Sequence, residues 1–286
     1  MSQLIQQIFP KDFHPLLREI NDPPESLYVQ GVLPSSRTTL LTVVGSRKST
    51  SYGRDVVDYL IGGLKGYDIS IVSGLALGID GHAHTAALNA GLHTTAVPGS
   101  GLSEKVLYPR SHVQLSQHIL ESGGALVSEL EPEQGAAPWT FPKRNRIMAG
   151  MSHAVLIIEA TERSGTLITA RLTTDYNREL LVVPASIFAA SSRGAHQFWK
   201  LGATPITTPE DILDVFSIKH NVHDEKQSNL KLSPEEQKIY NLLAEPKTRD
   251  EFIEEIALPI TQANILLSKL ELDEVIVEKL GTLRRK

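Results

Sequence analysis

Cysteine is missing from all 286 residues of the sequence. The protein therefore has no disulfide, no thiolate ligand for zinc and no cysteine nucleophile, and it suits a reducing compartment. No apolar run approaches the roughly 18 residues that a membrane span requires. The first eleven residues also lack the basic and apolar regions of a secretory signal. We therefore expect a cytoplasmic protein with no membrane partner.

The sequence has no excess of positive charge, since its formal net charge is −5. This balance argues against a protein that coats duplex DNA through bulk charge. It does not exclude a local basic groove, because exposed charges more than about 8–10 Å apart are largely screened from each other.

Several catalytic patterns are also missing. The glycine fingerprint of dinucleotide enzymes and the Walker loop do not occur. No serine, histidine and acid follow one another in a recognisable order, and we expect Glu129, Glu131 and Glu159 to be structural caps. His82 and His84 follow Asp80 at alternate positions, which do not share a helix face, so we predict no metal site. A hydrogen bond is the expected role of His84, and we predict no catalytic residue and no cofactor.

Strand-length apolar runs alternate with helix-length segments from residue 37 to residue 217. The runs are mostly continuous, as expected for strands that are buried on both faces. This alternation predicts an α/β domain with a doubly wound, mostly parallel sheet. Residues 1–36 form an N-terminal lead-in that we expect to cover an edge of this domain. The predicted strands are Leu40–Val44, Ile69–Val72, Thr94–Val97, Ala125–Val127, Ala154–Ile158 and Leu180–Val183.

A second, small domain is predicted at the carboxyl end. Residues 218–232 are polar without an apolar period, which indicates a linker. Residues 233–286 contain three helix signals and a hairpin, the order of a winged helix-turn-helix. Its third helix, Thr261–Leu272, carries Lys269 as its single cation. Because a helix that reads the major groove is normally more basic, we expect a protein contact or a weak DNA contact.

Small and polar residues follow the predicted strands of the large domain. In a parallel sheet the carboxyl ends of the strands share one edge, so these turns should converge. Glycine permits a close backbone approach, and arginine can pair with a phosphate through two hydrogen bonds. The candidate ligand-binding residues in these turns are Gly45, Ser46, Arg47, Ser73, Gly74, Ala76, Gly78, Asp80, Ser164, Gly165 and Thr166, with Asp80 also the expected N-cap of the following helix.

The stretch from Phe141 to Gly150 concentrates positive charge on an acidic chain. Lys143, Arg144 and Arg146 lie within four positions, next to Asn145 and just after Phe141. We interpret this stretch as a cationic turn before a buried strand, and so as part of an anion cradle. Cations, donors, small residues and an aromatic ring suit a phosphodiester chain with a stacked base better than bond cleavage.

These stretches resemble the DNA-processing protein A (DprA/Smf) family, in the expected order over about residues 20–205. The resemblance implies an extended Rossmann-like domain that binds single-stranded DNA without enzymatic activity, dimerises, and loads the RecA recombinase during natural transformation. It implies phosphate contacts at Gly45, Ser46 and Arg47, base stacking on Phe141, and a groove lined by Arg144 and Arg146. The chain departs from the family at Pro184-Ala185, where Pro-Gly is usual, and it lacks the helical amino-terminal domain of many members. The matching stretches are Asp22-Pro23-Pro24 with Leu27-Tyr28, VGSRKSTSYG from Val44, SGLALGIDGHAH from Ser73, PGSGLSEKVLYP from Pro98, FPKRNRIMAG from Phe141 and SGTLITA from Ser164.

Two other functions remain open from the sequence. Rossmann-like hydrolases that release cytokinin bases also place glycine-rich turns beside an arginine and a glutamate, although their Pro-Gly-Gly-x-Gly-Thr sequence is missing here. A structural adaptor that acts through the winged helix is the third hypothesis.

Overall fold

The structure is a computed structural model that describes residues 4–162, 164–200, 202–220, 232–243, 245–256, 258–273, 275–279 and 281–285. The chain divides into two compact units, Met1–His220 and Asn221–Lys286. Most of the predicted linker lies outside the described residues. Within the described part, no helix combines the length and the apolar character needed to cross a bilayer.

The first unit consists of a sheet of nine strands with helices between them. Two short 3-10 helices, Pro10–Asp12 and Arg110–His112, complete it. The strands are β1 Gln6–Ile8, β2 Leu27–Gly31, β3 Thr39–Val44, β4 Ile69–Ser73, β5 His93–Ala96, β6 Ala125–Ser128, β7 Ala154–Ile157, β8 Glu179–Val182 and β9 Thr204–Pro205. The helices are α1 Pro15–Arg18, α2 Ser51–Gly62, α3 Ile79–Asn89, α4 Val113–Glu121, α5 Thr140–Met151, α6 Thr166–Asp175, α7 Arg193–Trp199 and α8 Pro209–Val215.

The order of strands in this sheet is β1-β2-β6-β5-β4-β3-β7-β8-β9. In this order, the seven strands from β6 to β9 are parallel to one another, while β2 pairs antiparallel with β6 and β1 pairs antiparallel with β2. The prediction of an α/β fold with a mostly parallel sheet is thus confirmed. The lead-in segment forms β1 and β2, and β2 covers the edge of β6 within the same compact unit.

Burial on both faces explains the continuous apolar runs of the central strands. Along β7, Val155 and Ile157 pack into the core on one face of the sheet, whereas Leu156 packs into the core on the other. Alternate residues of a strand point to opposite faces, so both must be apolar when helices cover both sides.

The chain reverses its direction of travel across the sheet at β3. From β3 it proceeds through β4 and β5 to β6, and it then crosses back through α5 to β7 on the other side of β3. Ligands of open α/β sheets bind outside the carboxyl ends of the strands at such a switch point. The turn after β3 contains Gly45, Ser46 and Arg47, which the sequence selected as ligand-binding candidates.

The stretch predicted as a cationic turn is helical. Helix α5 begins at Thr140, so Lys143, Arg144 and Arg146 lie within its first two turns. Pro142 is tolerated in the first turn of this helix, because the N–H groups there have no intrahelical partner.

The second unit has its own core and its own sheet. It contains α9 Pro234–Leu242, β10 Lys247–Thr248, α10 Arg249–Ile256, α11 Ile260–Leu272, β11 Ile276–Lys279 and β12 Thr282–Arg285. The three strands are antiparallel in the order β10-β12-β11. Phe252, Leu267 and Leu283 are fully buried at the centre of its core. The three helices and the hairpin follow one another as the sequence predicted, whereas β10 was not predicted.

Because each unit has a separate core, we expect damage to one core to stay local. Replacing Phe252 with Ala should destabilise the second unit by about 3–5 kcal/mol, the usual cost of removing a buried aromatic ring. Hydrogen exchange should then show lost protection in α9–α11 and unchanged protection in β3, β4 and β7. An equal loss in both units would contradict this separation.

Candidate nucleic-acid interface

The turns after β3, β4 and β7 meet at the carboxyl edge of the sheet. The Thr166 hydroxyl donates to the carbonyl of Gly45 over 3.1 Å. The backbone N–H of Ile79 donates to the carbonyl of Ser46, also over 3.1 Å. Gly78 has a φ of +78°, and a Cβ there would lie 2.2 Å from the Ser46 oxygen, so glycine is required at this approach. The predicted convergence of these turns is therefore present.

Arg47 and Phe141 lie together at this edge, as the sequence predicted. The guanidinium carbon of Arg47 lies 4.9 Å from the centroid of the Phe141 ring, within the range of a cation–π interaction. Arg47 is exposed, and among the described residues it forms no ion pair. Its charge is therefore available to an external anion.

Helix α5 brings Phe141 to this edge because its first residue is fixed to the loop after β5. The Thr140 hydroxyl donates to the carbonyl of Gly99 over 2.6 Å. A Cβ at Gly99 would lie only 2.5 Å from Cδ1 of Phe141, so the ring packs directly against a bare glycine. Gly99 belongs to the Gly-Ser-Gly loop, Gly99–Gly101, which follows β5.

Arg144 does not line an open groove, although the resemblance implied that it would. Its side chain is 7% exposed and donates from Nη1 to the carbonyl of Val97 over 2.6 Å. Burial lowers the pKa of its guanidinium, and the nearby Asp80 carboxylate opposes that shift. Arg144 lies three residues after Phe141, on the buried side of the helix. There its side chain contacts the loops that follow β4 and β5.

Asp80 is buried opposite Arg144. Position 74 separates the two charges, because a Cβ there would lie 1.6 Å from Nη1 of Arg144 and 2.4 Å from Oδ2 of Asp80. Burial raises the pKa of Asp80, while Arg144 and the N–H groups of Ala76 and Gly74 favour the charged carboxylate. The expected N-cap role is wrong, since α3 begins at Ile79 and its N-cap is Gly78.

Lys143 and Arg146 form ion pairs with acidic residues, in contrast to Arg47. Nη2 of Arg146 lies 2.6 Å from Glu129, and Nζ of Lys143 lies 3.3 Å from the same carboxylate. Arg146 also pairs with Asp22 over 3.7 Å. Residues 141 and 146 differ by five positions, which is about 140° around a helix, so their side chains leave it in different directions. Asn145 is 8% exposed.

The remaining polar candidates have structural partners within the edge. Ser73 is buried and donates to the carbonyl of Val43 over 2.6 Å. The Ser46 hydroxyl accepts from the N–H of Lys48, and the Ser164 hydroxyl accepts from the N–H of Thr166. Gly165 remains exposed. These hydrogen bonds stiffen the turns that surround Arg47.

Glu159, Glu131 and His84 each have a hydrogen-bond partner within the protein. Glu159 is 1% exposed and accepts from the backbone N–H of Thr50, the N-cap of α2, over 3.1 Å and from its hydroxyl. Glu131 accepts from the Tyr28 hydroxyl over 2.6 Å. His84 pairs with the Thr94 hydroxyl over 2.7 Å, and burial lowers its pKa to about 3, so it is neutral at pH 7.

The sequence analysis missed Tyr108 as a member of this edge. Its ring meets Phe141 edge to face, with the centroids 5.7 Å apart, and the side chain is 43% exposed. The signal was a tyrosine close behind the Gly-Ser-Gly loop, but residues 108 and 141 are too far apart in sequence for a local pattern to pair them.

A doubly wound sheet that gathers glycine turns and an unpaired arginine at its carboxyl edge defines a Rossmann-like protein with a candidate polyanion-binding surface. A family model described as DNA recombination-mediator protein A matches residues 5–217, and the chain belongs to this family. The family predicted from the sequence is thus confirmed.

Individual relatives agree with this assignment. The chain is 37% identical over 242 residues to Protein Smf of Escherichia coli K12, which covers 84% of this chain and 64% of that protein. It is 38% identical over 200 residues to the DNA processing protein DprA of Streptococcus pneumoniae, which covers 70% of each chain. The chain therefore spans about two thirds of the length of these relatives.

Solved structures of the family share the fold. The X-ray structure of DprA from Streptococcus pneumoniae superposes with a TM-score of 0.68 at 34% identity, over 77% of this chain and 76% of that one. The DprA structure from Helicobacter pylori, described for its single-stranded DNA binding mode, gives a TM-score of 0.65 at 25% identity over 76% and 98%.

We expect a side chain at position 74 to destabilise the protein at the carboxyl edge of the sheet. In Gly74→Ala, the new methyl group must displace Arg144 or Asp80, and Arg144 is too buried to move freely. We expect a loss of about 1–3 kcal/mol in the free energy of unfolding, as for other overpacked sites. Urea denaturation measures this loss.

Gly62→Ala is the matched control, because position 62 lies in α2 and nothing lies within 4 Å of its added Cβ. We expect no loss there, since alanine favours a helix more than glycine does. Equal stability of Gly74→Ala and the original protein would mean that the two buried charges are not held in place.

Proposed function

We propose that this protein is a non-enzymatic, single-stranded DNA-binding recombination mediator. It protects incoming DNA and loads the RecA recombinase during natural transformation, and it acts as a homodimer. The proposed contact residues are those predicted from the sequence at the carboxyl edge, with two changes of role. Arg144 and Asp80 are buried and hold the loops of the surface in place. Lys143 and Arg146 contribute less to DNA binding, because they already form ion pairs with acidic residues.

The observation that carries this proposal is the position of Arg47. It is an exposed cation without an acidic partner in the described part of the chain, and it stands over an aromatic ring among glycine turns. Proteins that bind unpaired strands combine cations for the phosphates with rings for the bases. The family description gives further support, as does the DprA structure from Helicobacter pylori that is described for its single-stranded DNA binding mode.

Replacing Arg47 with Ala should weaken single-strand binding by about 10- to 100-fold, the usual worth of hydrogen bonds to a charged group. Loss of one phosphate contact should also reduce the slope of log K against log salt by about 0.7. Anisotropy of a labelled oligonucleotide over a series of KCl concentrations measures both quantities.

Arg37→Ala is the control for this experiment. Arg37 is also exposed, but it precedes β3 at the opposite edge of the sheet, whereas Arg47 follows it. We expect its affinity and salt slope to match the original protein. Equal losses in the two variants would show only a general effect of net charge and would remove the support for this site.

The RecA-loading step can be tested separately from DNA binding. On strands covered by single-strand binding protein, the original protein should shorten the delay before RecA hydrolyses ATP, and Arg47→Ala should not. If the original protein binds single strands but leaves this delay unchanged, the binding proposal stands and the mediator proposal is wrong.

The nucleotide hydrolase is a weaker alternative. Such an enzyme needs a glutamate that can reach the substrate. Glu159, which lies near the glycine turns, is buried and accepts a hydrogen bond from Thr50. No observation on the described residues favours this chemistry.

We further propose that the second unit is a winged helix-turn-helix that contacts protein. The cations around α11 are engaged, since Lys269 pairs with Glu236 over 2.6 Å and Arg249 pairs with Glu271 over 3.1 Å. The exposed side of α11 presents Ile265 and Leu272, which are 64% and 83% exposed. A face with exposed apolar side chains, whose cation Lys269 is already paired, suits a protein partner better than a phosphate backbone.

Ile265→Asp tests this assignment. A new negative charge would weaken duplex binding if α11 lay in the major groove, so we expect duplex and single-strand affinities to stay unchanged. A clear loss of duplex affinity at low salt would instead place α11 against DNA.

A further inference from the structure

We propose that the bound single strand continues from Arg47 to the loop after β8, residues 183–192, where Phe188 stacks on a base and Arg193 contacts a phosphate. Phe188 and Arg193 together form the β8 subsite. This inference rests on the proposed single-strand binding and extends it to residues that the sequence analysis did not select. The ligand of the β8 subsite is an unpaired nucleotide of the strand that Arg47 holds.

The loop after β8 starts close to the turn that carries Arg47. Strand β8 lies two places from β3 in the sheet, with β7 between them, and all three strands are parallel. Because neighbouring strands lie about 4.7–4.9 Å apart, the two loops start about 10 Å from each other. A short stretch of single strand that runs across this edge can therefore reach both loops.

Direct contacts connect the segments between β3 and α7. The turns after β3 and β7 are joined by the hydrogen bond from Thr166 to Gly45. The backbone N–H of Gly194, in the first turn of α7, donates to the carbonyl of Ala160 after β7 over 2.8 Å. A Cβ at Gly194 would lie 2.3 Å from the Thr161 oxygen, so the two segments pack directly against each other. The carboxyl edge is therefore continuous from β3 to α7.

A hydrogen bond also connects the loop after β8 to α2, the helix that follows the Arg47 turn. The Tyr52 hydroxyl, in the first turn of α2, donates to the carbonyl of Pro184 over 2.5 Å. The start of the loop after β8 is therefore held beside the residues that directly follow the Arg47 turn.

Phe188 has the most exposed aromatic side chain among the described residues. It is 86% exposed, and the preceding Ile187 is 72% exposed. Large apolar side chains that are exposed next to each other mark binding surfaces. The flat face of a base stacks on such a ring whatever the base, which suits a protein that binds single strands of any sequence.

Hydrogen bonds within the loop hold the backbone around Phe188. Ser192 is 1% exposed, and its hydroxyl lies 2.8 Å from the carbonyl of Ser186 and 2.9 Å from that of Ala189, so it can donate to both. The backbone N–H of Phe188 donates to the Ser186 hydroxyl over 3.3 Å. A ring on a loop that is already ordered loses less freedom when a base binds, which favours affinity.

Positive charge accompanies this ring. Arg193, the first residue of α7, is exposed and forms no ion pair within the described part of the chain. Lys48, next to Arg47, is exposed as well. Glu162, in the loop after β7, is an exposed acid, but these three cations outnumber it. Surfaces that bind unpaired strands combine such cations with rings for the bases.

A protein is the other ligand class that an exposed apolar pair could contact. Two observations favour DNA at Ile187 and Phe188. The loop is connected to the turn that holds Arg47, and an exposed cation follows it at Arg193. Contact with a protein is therefore an outcome that the experiment must distinguish.

The experiment compares labelled thymidine strands of two lengths by anisotropy with the full chain. A strand of about 4 nucleotides occupies the site at Arg47, whereas one of about 16 nucleotides also reaches the β8 subsite, and both lengths are within the site sizes of single-strand-binding folds. Phe188→Ala should bind the long strand about 5- to 150-fold more weakly, the usual worth of one stacked base. It should bind the short strand as the original protein does.

Three controls accompany this variant. Phe188→Tyr keeps a ring and should retain affinity for both strands. Phe9→Ala removes a ring that is 50% exposed just after β1, seven places from β8 in the sheet, and should change neither affinity. A long strand of abasic sites offers no base to stack, so Phe188→Ala and the original protein should bind it equally.

Arg193→Ala tests the phosphate contact of the β8 subsite. The slope of log K against log salt should fall by about 0.7 for the long strand, since one phosphate contact is lost. The slope for the short strand should not change. An equal fall for both lengths would show a general effect of charge and would contradict the assignment of Arg193.

The outcomes separate this inference from the proposed function. If Arg47→Ala weakens both strands and Phe188→Ala binds the long strand normally, the proposed function stands and the β8 subsite is wrong. Equal losses of Phe188→Ala on both lengths, or on thymidine and abasic strands, would also contradict stacking. If Phe188→Ala changes the oligomeric state in sedimentation and leaves both DNA affinities unchanged, the loop contacts protein instead. If the original protein binds neither strand, the proposed function itself fails.

Discussion

The buried guanidinium of Arg144 is the contact on which the candidate interface depends. It lies on α5, donates to the carbonyl of Val97 just after β5, and faces Asp80 across the bare Cα of Gly74. One side chain thus connects the helix to the loops that follow two neighbouring strands. Removing a partner from such buried charges is costly, because the remaining charge has no solvent to stabilise it. The position of Phe141, three residues earlier on the same helix, follows from this connection.

The interface then appears as two layers with different chemistry. The inner layer contains charges and small residues that hold the loops, and Arg144, Asp80 and Gly74 belong to it. The outer layer contains Arg47, with the rings of Phe141 and Tyr108 beside it. Separating support from contact lets the exposed cation remain unpaired, because the stability of the loops comes from the layer below.

The sheet could be predicted from the sequence because its strands are buried on both faces and read as continuous apolar runs. The position of Arg47 at the carboxyl edge could be predicted too, since it lies three residues after the end of β3. The ion pairs of Arg146 could not, because they depend on the direction in which its side chain leaves α5 and on acidic residues that are distant in sequence. Tyr108 could not be predicted either, because its pairing with Phe141 arises only when the loop after β5 and the start of α5 come together in the fold. Sequence patterns describe local periodicity well and tertiary neighbours poorly.

Glu159 has a consequence for what competes at this edge. Its carboxylate bonds the residue that caps α2, which is where the partial positive charge of the helix would otherwise attract an anion. The protein itself thus supplies the negative group at a position where many Rossmann-like sheets hold the phosphate of a mononucleotide. A nucleotide phosphate that approached this end of the helix would therefore meet a carboxylate that already bonds the capping residue.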